Sequence, residues 1–385
     1  MGGLIVEVNL ILDPLLSRHG PTYIAARLAE AMNCPEAPCR IFTSVNKWTG
    51  APLNVEVLTG LPTPGPLAKI PTRVARNLVM RFAERKLLNK VQNSKGMQVV
   101  FTFGDVSLRL AQELHALGVT VIREKFNCAR ATARAILDQA YISLGVEPAH
   151  GLDDASIKYE NEGLAIADAV FCPSPQVTKS LRALGIPDDR LLATSYGWEP
   201  ARFSGSHKLF PAEEGVTLVF VGYLCVRKGA HILLDAWRKA NIKGRLIIAG
   251  AIEPVIQQRF SDVLHRPDVM YMPYTDDVPA LYRSSDWFVF PSLEEGGPLV
   301  TYEAAGCGVP ALTSPMGAGA FTRDKVDGIV LDSISSEEWA EQIASLPSRE
   351  EERRAFAASA KSRSLDFTWD KVGIHRREIL QSRFS

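Results

Sequence analysis

The stretch "DWFVFPSLEEGGPLVTYEAAGCGVPALTS", residues 286–314, decides how the chain folds. It opens on an apolar run of aromatic and β-branched residues, of the kind that suits a strand covered on both faces. Pro291 closes the run, and the loop that follows carries Glu294, Glu295, Gly296 and Gly297. Pro298 then stands at the first turn of a helix over "PLVTYEAAGCG", with Gly308 at its close and Pro310 preventing continuation. The apolar run "VPALTS" comes next. Strand, loop, helix and strand in that order make a parallel βαβ unit.

The same alternation runs along the rest of the 385 residues. In the first half the strand candidates are "LIVEVNLI", "CRIFTS", "NVEVLT", "MQVVFTF", "VTVIRE", "DAVFCPS" and "LLATSY", with helical stretches near 22–32, 106–117, 129–142 and 174–184. The second half starts afresh at "VTLVFVG" and continues through "RLIIAG", "DVMYMP", "DWFVFPS", "VPALTS" and "GIVLD". Between the halves "YGWEPARFSGSHKLFPAEEG", residues 196–215, is rich in Gly, Pro and Ser and reads as a linker. A chain of this length with 46% apolar residues exceeds one hydrophobic core and can fill two. The expected architecture is α/β, with two Rossmann-like doubly wound domains facing a cleft.

Composition narrows the function classes. Lys plus Arg and Asp plus Glu both count 43, so no global field draws the chain onto nucleic acid. The six cysteines, at 34, 39, 128, 172, 225 and 307, contain no Cys-x-x-Cys pair and read as reduced core thiols, which points to a cytoplasmic location. The opening "MGGLIVEVNLILDPLL" has no basic start and includes Glu7, Asn9 and Asp13, so it reads as a buried strand and not as a signal peptide. Val6 removes a myristoylation pattern, and no apolar run has membrane-spanning length.

Ligands of open parallel sheets gather beyond the carboxyl ends of the strands. At the end of "DWFVFPS", the helix start offers unpaired N–H groups and the positive end of a dipole, and Gly296 and Gly297 permit close approach, which together describe an anion site. Glu295 stands at its mouth. Glu303, eight positions on, is able to accept two hydrogen bonds from a vicinal diol such as a ribose. Read singly, these acids are also compatible with ordinary solvated positions. After "VTLVFVG", which ends in Gly222, come Arg227 and Lys228 before the helix "AHILLDAWRKA".

The combination of strand, Glu-Gly, helix start and second Glu resembles the Glu-x7-Glu motif of the retaining glycosyltransferases of family 4, which have the GT-B fold. The resemblance covers roughly residues 160–385 well, through "LVFVGYLCVRKGAHILLDAW", "ADAVFCPSPQVTKSLRALGIPDDRLLATSYGWEPARF" and a closing "FTWDKVGIHRREIL" that looks like a terminal helix crossing back to the first domain. It covers the first 150 residues in outline. It implies domains over 1–200 (acceptor side) and 201–365 (nucleotide-sugar donor side), with 366–385 as the returning helix. It also implies transfer of a hexose from a nucleotide diphosphate sugar, with retention of configuration, to a glycan, a lipid-linked or a small-molecule acceptor, as in polysaccharide biosynthesis. Glu295, Arg227 and Lys228 would then be catalytic, with the two cations balancing the charge of the departing diphosphate in a chain that has no Asp-x-Asp motif. Glu303, Gly296, Gly297, Pro298, Leu299, Gly222, Tyr274 and Gly20 would hold the donor, with no metal and no cofactor beyond the sugar nucleotide. Where the family commonly has Arg directly after the glycine, this chain has Tyr223.

Weaker signals lie in the first half. "SRHGPTYIAARL" places His19 and Gly20 before a helix starting at Pro21 or Thr22, and Asp105, Arg123, Lys125 and Asn127 follow strand ends on the acceptor side. His150 lies in a long connection, and Trp198 and Glu199 pack the hinge or the linker. Residues 66–95 carry eight Lys or Arg against Glu84 alone, which reads either as a peripheral contact with the inner face of a membrane or as a solvated helix packed through Val74, Leu78 and Phe82. Rival functions are a nucleotide-sugar epimerase, a phosphorylase, or a non-catalytic nucleotide-sugar-binding or scaffold protein of the same fold. A dinucleotide oxidoreductase is disfavoured because no Gly-x-Gly-x-x-Gly follows the first strand.

Overall fold

The structure, a computed structural model, describes residues 6–18, 20–48, 53–59, 72–94, 96–104, 107–211 and 214–384. The side chains of 13–15 and 72–79 are not among those described. Each strand candidate of the sequence forms a strand. The first domain holds β1 (Val6–Leu16), β2 (Cys39–Asn46), β3 (Glu56–Thr59), β4 (Met97–Phe103), β5 (Thr120–Glu124), β6 (Ala169–Cys172) and β7 (Leu191–Ala193). The second holds β8 (Val216–Val221), β9 (Gly244–Ala249), β10 (Val269–Met272), β11 (Trp287–Phe290), β12 (Ala311–Thr313) and β13 (Gly328–Val330).

All pairings between these strands are parallel, in the orders β3-β2-β1-β4-β5-β6-β7 and β10-β9-β8-β11-β12-β13. Chain direction across each sheet reverses at β1/β4 and at β8/β11, the two places where crevices open beyond strand ends. Because helices cover both faces, the central strands have no polar side to show. Every residue of β8 and β11 is buried, which explains their unbroken apolar sequence.

Three helices depart from expectation. The Gly20–Met32 helix begins at Gly20 itself, at a positive φ of 63°, and not at Pro21 or Thr22. The connection containing His150 leads into a helix over Asp154–Ile166, entered by a capping box in which Asp153 accepts from Ser156 N at 2.7 Å and Ser156 Oγ accepts from Asp153 N. Its inner face bears Glu160 and Gly163, so it shows no apolar period. Glu160 meets the Lys125 ammonium at 2.6 Å, and a Cβ on Gly163 would lie 1.9 Å from the Arg123 guanidinium.

The basic segment contains the Thr72–Gln92 helix, which in its described part buries Met80, Ala83, Leu87 and Val91, whereas Phe82, expected to pack on the domain, is exposed beside Arg81 and Arg85. Val74 and Leu78 have no described side-chain placement.

The terminal helix Trp369–Phe384 returns to the first domain. Gly373 permits this, since a Cβ there would stand 2.4 Å from that of Ala31 on the Gly20–Met32 helix. Arg376 then reaches the end of β5, where its two terminal nitrogens donate to the two Glu124 oxygens at 2.7 and 3.0 Å, and one also donates to Ser195 O at 3.2 Å. Both side chains are wholly buried, and the guanidinium lies 4.6 Å from the Phe171 ring centre. Trp198 anchors the linker, donating from Nε1 to Ser364 O at 2.7 Å. Removing one member of a buried, bidentate pair strands the other charge, so Arg376→Ala and Glu124→Ala should each lose about 3–5 kcal/mol in urea unfolding. The apolar pair Arg376→Met with Glu124→Leu should recover most of it. Single variants that unfold at the wild-type urea concentration would show that this pair does not hold the helix.

Candidate functional site

Since β8 pairs with β11, the loops beyond their carboxyl ends lie side by side. Gly222 leaves β8 at φ 132°, and Gly229, at φ 69°, ends the short Val226–Lys228 turn where a Cβ would collide with Pro291 O at 1.9 Å. The Arg227 carbonyl then accepts from Leu293 N at 2.9 Å and Glu294 N at 3.3 Å, which locks the turn to the acidic loop. The Arg227 guanidinium returns along the same line, donating to Glu294 O at 3.0 Å and lying 3.3 Å from Glu295 Oε1. Lys228 Nζ bonds the same Glu295 oxygen and sits 4.8 Å from the Phe290 ring centre. Glu295, Arg227 and Lys228 therefore form one cluster.

Burial opposes charge on Glu295, but Lys228 and Arg227 outweigh it and hold the carboxyl below its usual range. At Glu294 burial prevails over Arg227, and the adjacent Glu295 charge adds to it, so its pKa is raised. Burial works against the Arg227 cation too, and the two carboxylates overcome it.

Glu303 lies apart from that cluster. It is half-buried on the Leu299–Gly306 helix and lines a cavity of about 450 Å³ together with Val221, Tyr274, Asp277, Arg283 and the linker's Arg202. Burial pushes its pKa up to about 7, with Arg202 moderating the rise. Tyr274 is exposed, and its hydroxyl donates to Asp276 at 2.6 Å.

The glycine pair has a different neighbour from the anion envisaged by the sequence reading. A Cβ on Gly296 would lie 1.5 Å from Phe126 O, and one on Gly297 would lie 2.7 Å from the Tyr196 ring. The close approach they permit is that of the first domain. Pro298 is buried beneath it, and Leu299 opens the helix.

Across the cleft, a cavity of about 550 Å³ is lined by both domains, with Pro21, Lys125, Asn127, His150, Tyr223 and Arg227 among its walls. Several candidates there are already engaged. Lys125 Nζ donates to Glu160 and, at 2.9 Å, to Cys128 O, and Asn127 Nδ2 donates to Glu294 Oε2 at 2.9 Å. His150 Nδ1 accepts from Leu152 N at 3.0 Å, which leaves the proton on Nε2 for Asp138 at 2.7 Å. Gly20 is exposed at its helix start, while His19 and Asp105 lie outside the described residues. Sequence reasoning missed Glu253 and Tyr141, which meet in this wall. Applying the strand-end rule to β9 would have found Glu253, four residues beyond it. Among the described residues no three His, Cys, Asp or Glu are grouped to hold a metal ion, and no helix is long and apolar enough to cross a membrane.

Comparison with known proteins places this geometry. Residues 215–348 match the family described as glycosyl transferases group 1. The chain is similar to D-inositol 3-phosphate glycosyltransferase of Salinispora tropica, 34% identical over 98 residues, or 25% of this chain and 20% of that one. It is also similar to the uncharacterized glycosyltransferase MJ1178 of Methanocaldococcus jannaschii, 26% identical over 42% of this chain and 47% of that one. The chain thus spans about a fifth to a half of the curated relatives it matches. Among solved structures, Anabaena Alr3699/HepE in complex with UDP and glucose superposes with a TM-score of 0.67 at 16% identity, covering 98% of this chain and 99% of that one. Sucrose-phosphate synthase from Thermosynechococcus elongatus gives 0.72 at 16% identity with the same coverage, and at such identities the likeness is one of fold. Residues 215–348 are therefore similar to the glycosyl transferases group 1 family, and they are carried in a chain whose two domains and returning helix have the GT-B fold.

Proposed function

We propose that the chain is a retaining, family-4-like glycosyltransferase that moves a hexose from a nucleotide diphosphate sugar to a glycan, lipid-linked or small-molecule acceptor. The observation that carries this reading is the Glu295–Lys228–Arg227 cluster at the β8/β11 crevice, with Glu303 and Tyr274 lining the cavity beside the end of β8. The family match over 215–348 and the UDP and glucose bound by the Anabaena neighbour support the donor class. Glu303 accepts the ribose hydroxyls and the Tyr274 loop edges the base. Arg227 and Lys228 take the diphosphate charge in place of a metal, and Glu295 orients the sugar while holding both cations in position. In the transfer step the bond from the sugar's anomeric carbon to the phosphate oxygen breaks as the acceptor oxygen bonds that carbon on the same face. The acceptor proton passes to the departing phosphate. The two-domain cavity that includes Arg227 receives the acceptor, and exposed Phe82 beside Arg81 and Arg85 makes the peripheral membrane contact at the cytoplasmic face.

Incubation with UDP-, GDP- and ADP-sugars should give slow hydrolysis of one class, and a chain that binds a sugar nucleotide without turning it over would be a binding or scaffold protein. Equal sedimentation with anionic and neutral vesicles would remove the membrane contact. For Glu303, a carboxyl that titrates near 7 is neutral below that pH and accepts the diol as an anion only above it. Donor affinity should rise between pH 6 and 8 and level off, and Glu303→Gln should flatten the profile. Glu303→Ala should weaken donor binding about tenfold to a hundredfold, the worth of charge-assisted hydrogen bonds. A wild-type affinity in that variant would place the ribose elsewhere. Arg227→Ala and Lys228→Ala should each cut turnover by at least about a hundredfold, with no effect of a chelator on the wild type. Activity lost to chelation and restored by Mg²⁺ or Mn²⁺ would overturn the metal-free clamp.

A further inference from the structure

The helix Arg130–Ser143 of the first domain is gripped by the second domain near both ends, and each grip is a carboxylate that also touches the cationic turn. Before its start, Glu294 accepts from Cys128 N at 3.0 Å and from Asn127 at 2.9 Å, and Glu294 is tied to Arg227 as described. Near its end, Tyr141 donates its hydroxyl to Glu253 Oε1, while Glu253 Oε2 accepts from Val226 N at 2.7 Å. Val226 is the first residue of the turn that carries Arg227 and Lys228.

Glu253 is not where its own helix wants it. It immediately precedes the Pro254–Arg259 helix, at the position from which a side chain ordinarily caps the first turn, and it makes no such bond. Its two oxygens instead join a buried tyrosine of one domain to the backbone of the other. Tyr141 is 4% exposed in the shut cleft, and its bond to a carboxylate is charge-assisted and worth more than the bond to water that replaces it when the cleft opens. The bond therefore favours the shut cleft, and separation of the domains breaks it and frees Glu253 to turn away from Val226.

We propose that Glu253 and Tyr141 are positioning residues that couple closure of the cleft to alignment of Arg227 and Lys228, an inference that rests on the transferase reading for its catalytic consequence. Closure assembles the clamp, and opening loosens the turn, so the charge on a departing diphosphate is met in full only when the acceptor side is in place.

The test uses Tyr141→Phe, which keeps the ring and deletes the donor, and Glu253→Gln, which keeps the shape and deletes the charge. Small-angle X-ray scattering of the protein alone should give a larger radius of gyration for each variant than for the wild type. With whichever sugar nucleotide the wild type hydrolyses, kcat should fall about tenfold or more while donor KM stays within about twofold, since the loss falls on one charge-assisted bond outside the donor cavity. The double variant should be no worse than the more affected single variant, because both changes act on the same link. Scattering indistinguishable from wild type in both variants, or losses that add in the double variant, would overturn the coupling. If the wild type binds and hydrolyses no sugar nucleotide, the transferase reading fails, and the scattering comparison still decides whether this bond holds the domains together.

Discussion

The Arg227 carbonyl is the point on which the cleft is built. It accepts from two successive N–H groups of the acidic loop, so the turn after β8 and the loop after β11 become one body. That contact is available because the two strands are neighbours, and Gly229 lets the turn come within contact of Pro291. From it follow the placement of Arg227 and Lys228 on Glu295 and of Glu294 towards the first domain. Neither acid takes its position from its own helix. Both are set by a backbone joint formed between loops some 65 residues apart in the chain.

The sheets were legible in the sequence because parallel strands buried on both faces read as unbroken apolar runs, and "VTLVFV" or "WFVF" has no other easy home. The Asp154–Ile166 helix was not legible, for the same physical reason in reverse. Its core-facing positions hold Glu160 and Gly163, chosen to meet Lys125 and Arg123, so the apolar period that announces a helix is absent. The Thr72–Gln92 helix was anticipated, but its described part buries Met80, Ala83, Leu87 and Val91, and the expected Phe82 faces outward. In a segment with cations all round, more than one apolar row can be drawn, and only the packing partner selects among them.

At the site, residue types and spacing were legible, and partners were not. The acidic loop, the two cations and Glu303 were visible as a pattern, because a strand end followed by a helix start limits where such groups can stand. The glycine pair illustrates the limit. A glycine in a sequence reports that something comes close, and it does not report what. Here the neighbours are the Phe126–Asn127 backbone for Gly296 and the Tyr196 ring for Gly297. Lys125 and Asn127 were likewise visible as strand-end polar groups, yet their engagement with Glu160 and Glu294 depends on contacts between elements that sequence spacing does not encode.

The cluster balances its own charges, as the whole chain does. Arg227 and Lys228 face Glu294 and Glu295 in one largely buried group, two cations against two carboxylates. The arrangement cannot steer a distant anion by excess charge. What it does provide is fixed geometry, since both cations are held in position by Glu295 and by the backbone joint. The two acids do not share the burden equally. Glu295 has both cations within reach and is held ionised, whereas Glu294 has Arg227 at the longer distance of 3.5 Å and is pushed towards neutrality by burial and by its neighbour. Glu294 is also the acid that reaches the first domain, through Asn127 and Cys128. The more weakly compensated charge of the pair therefore sits on the bridge between the domains, where only a shut cleft supplies the hydrogen bonds that favour its ionised form.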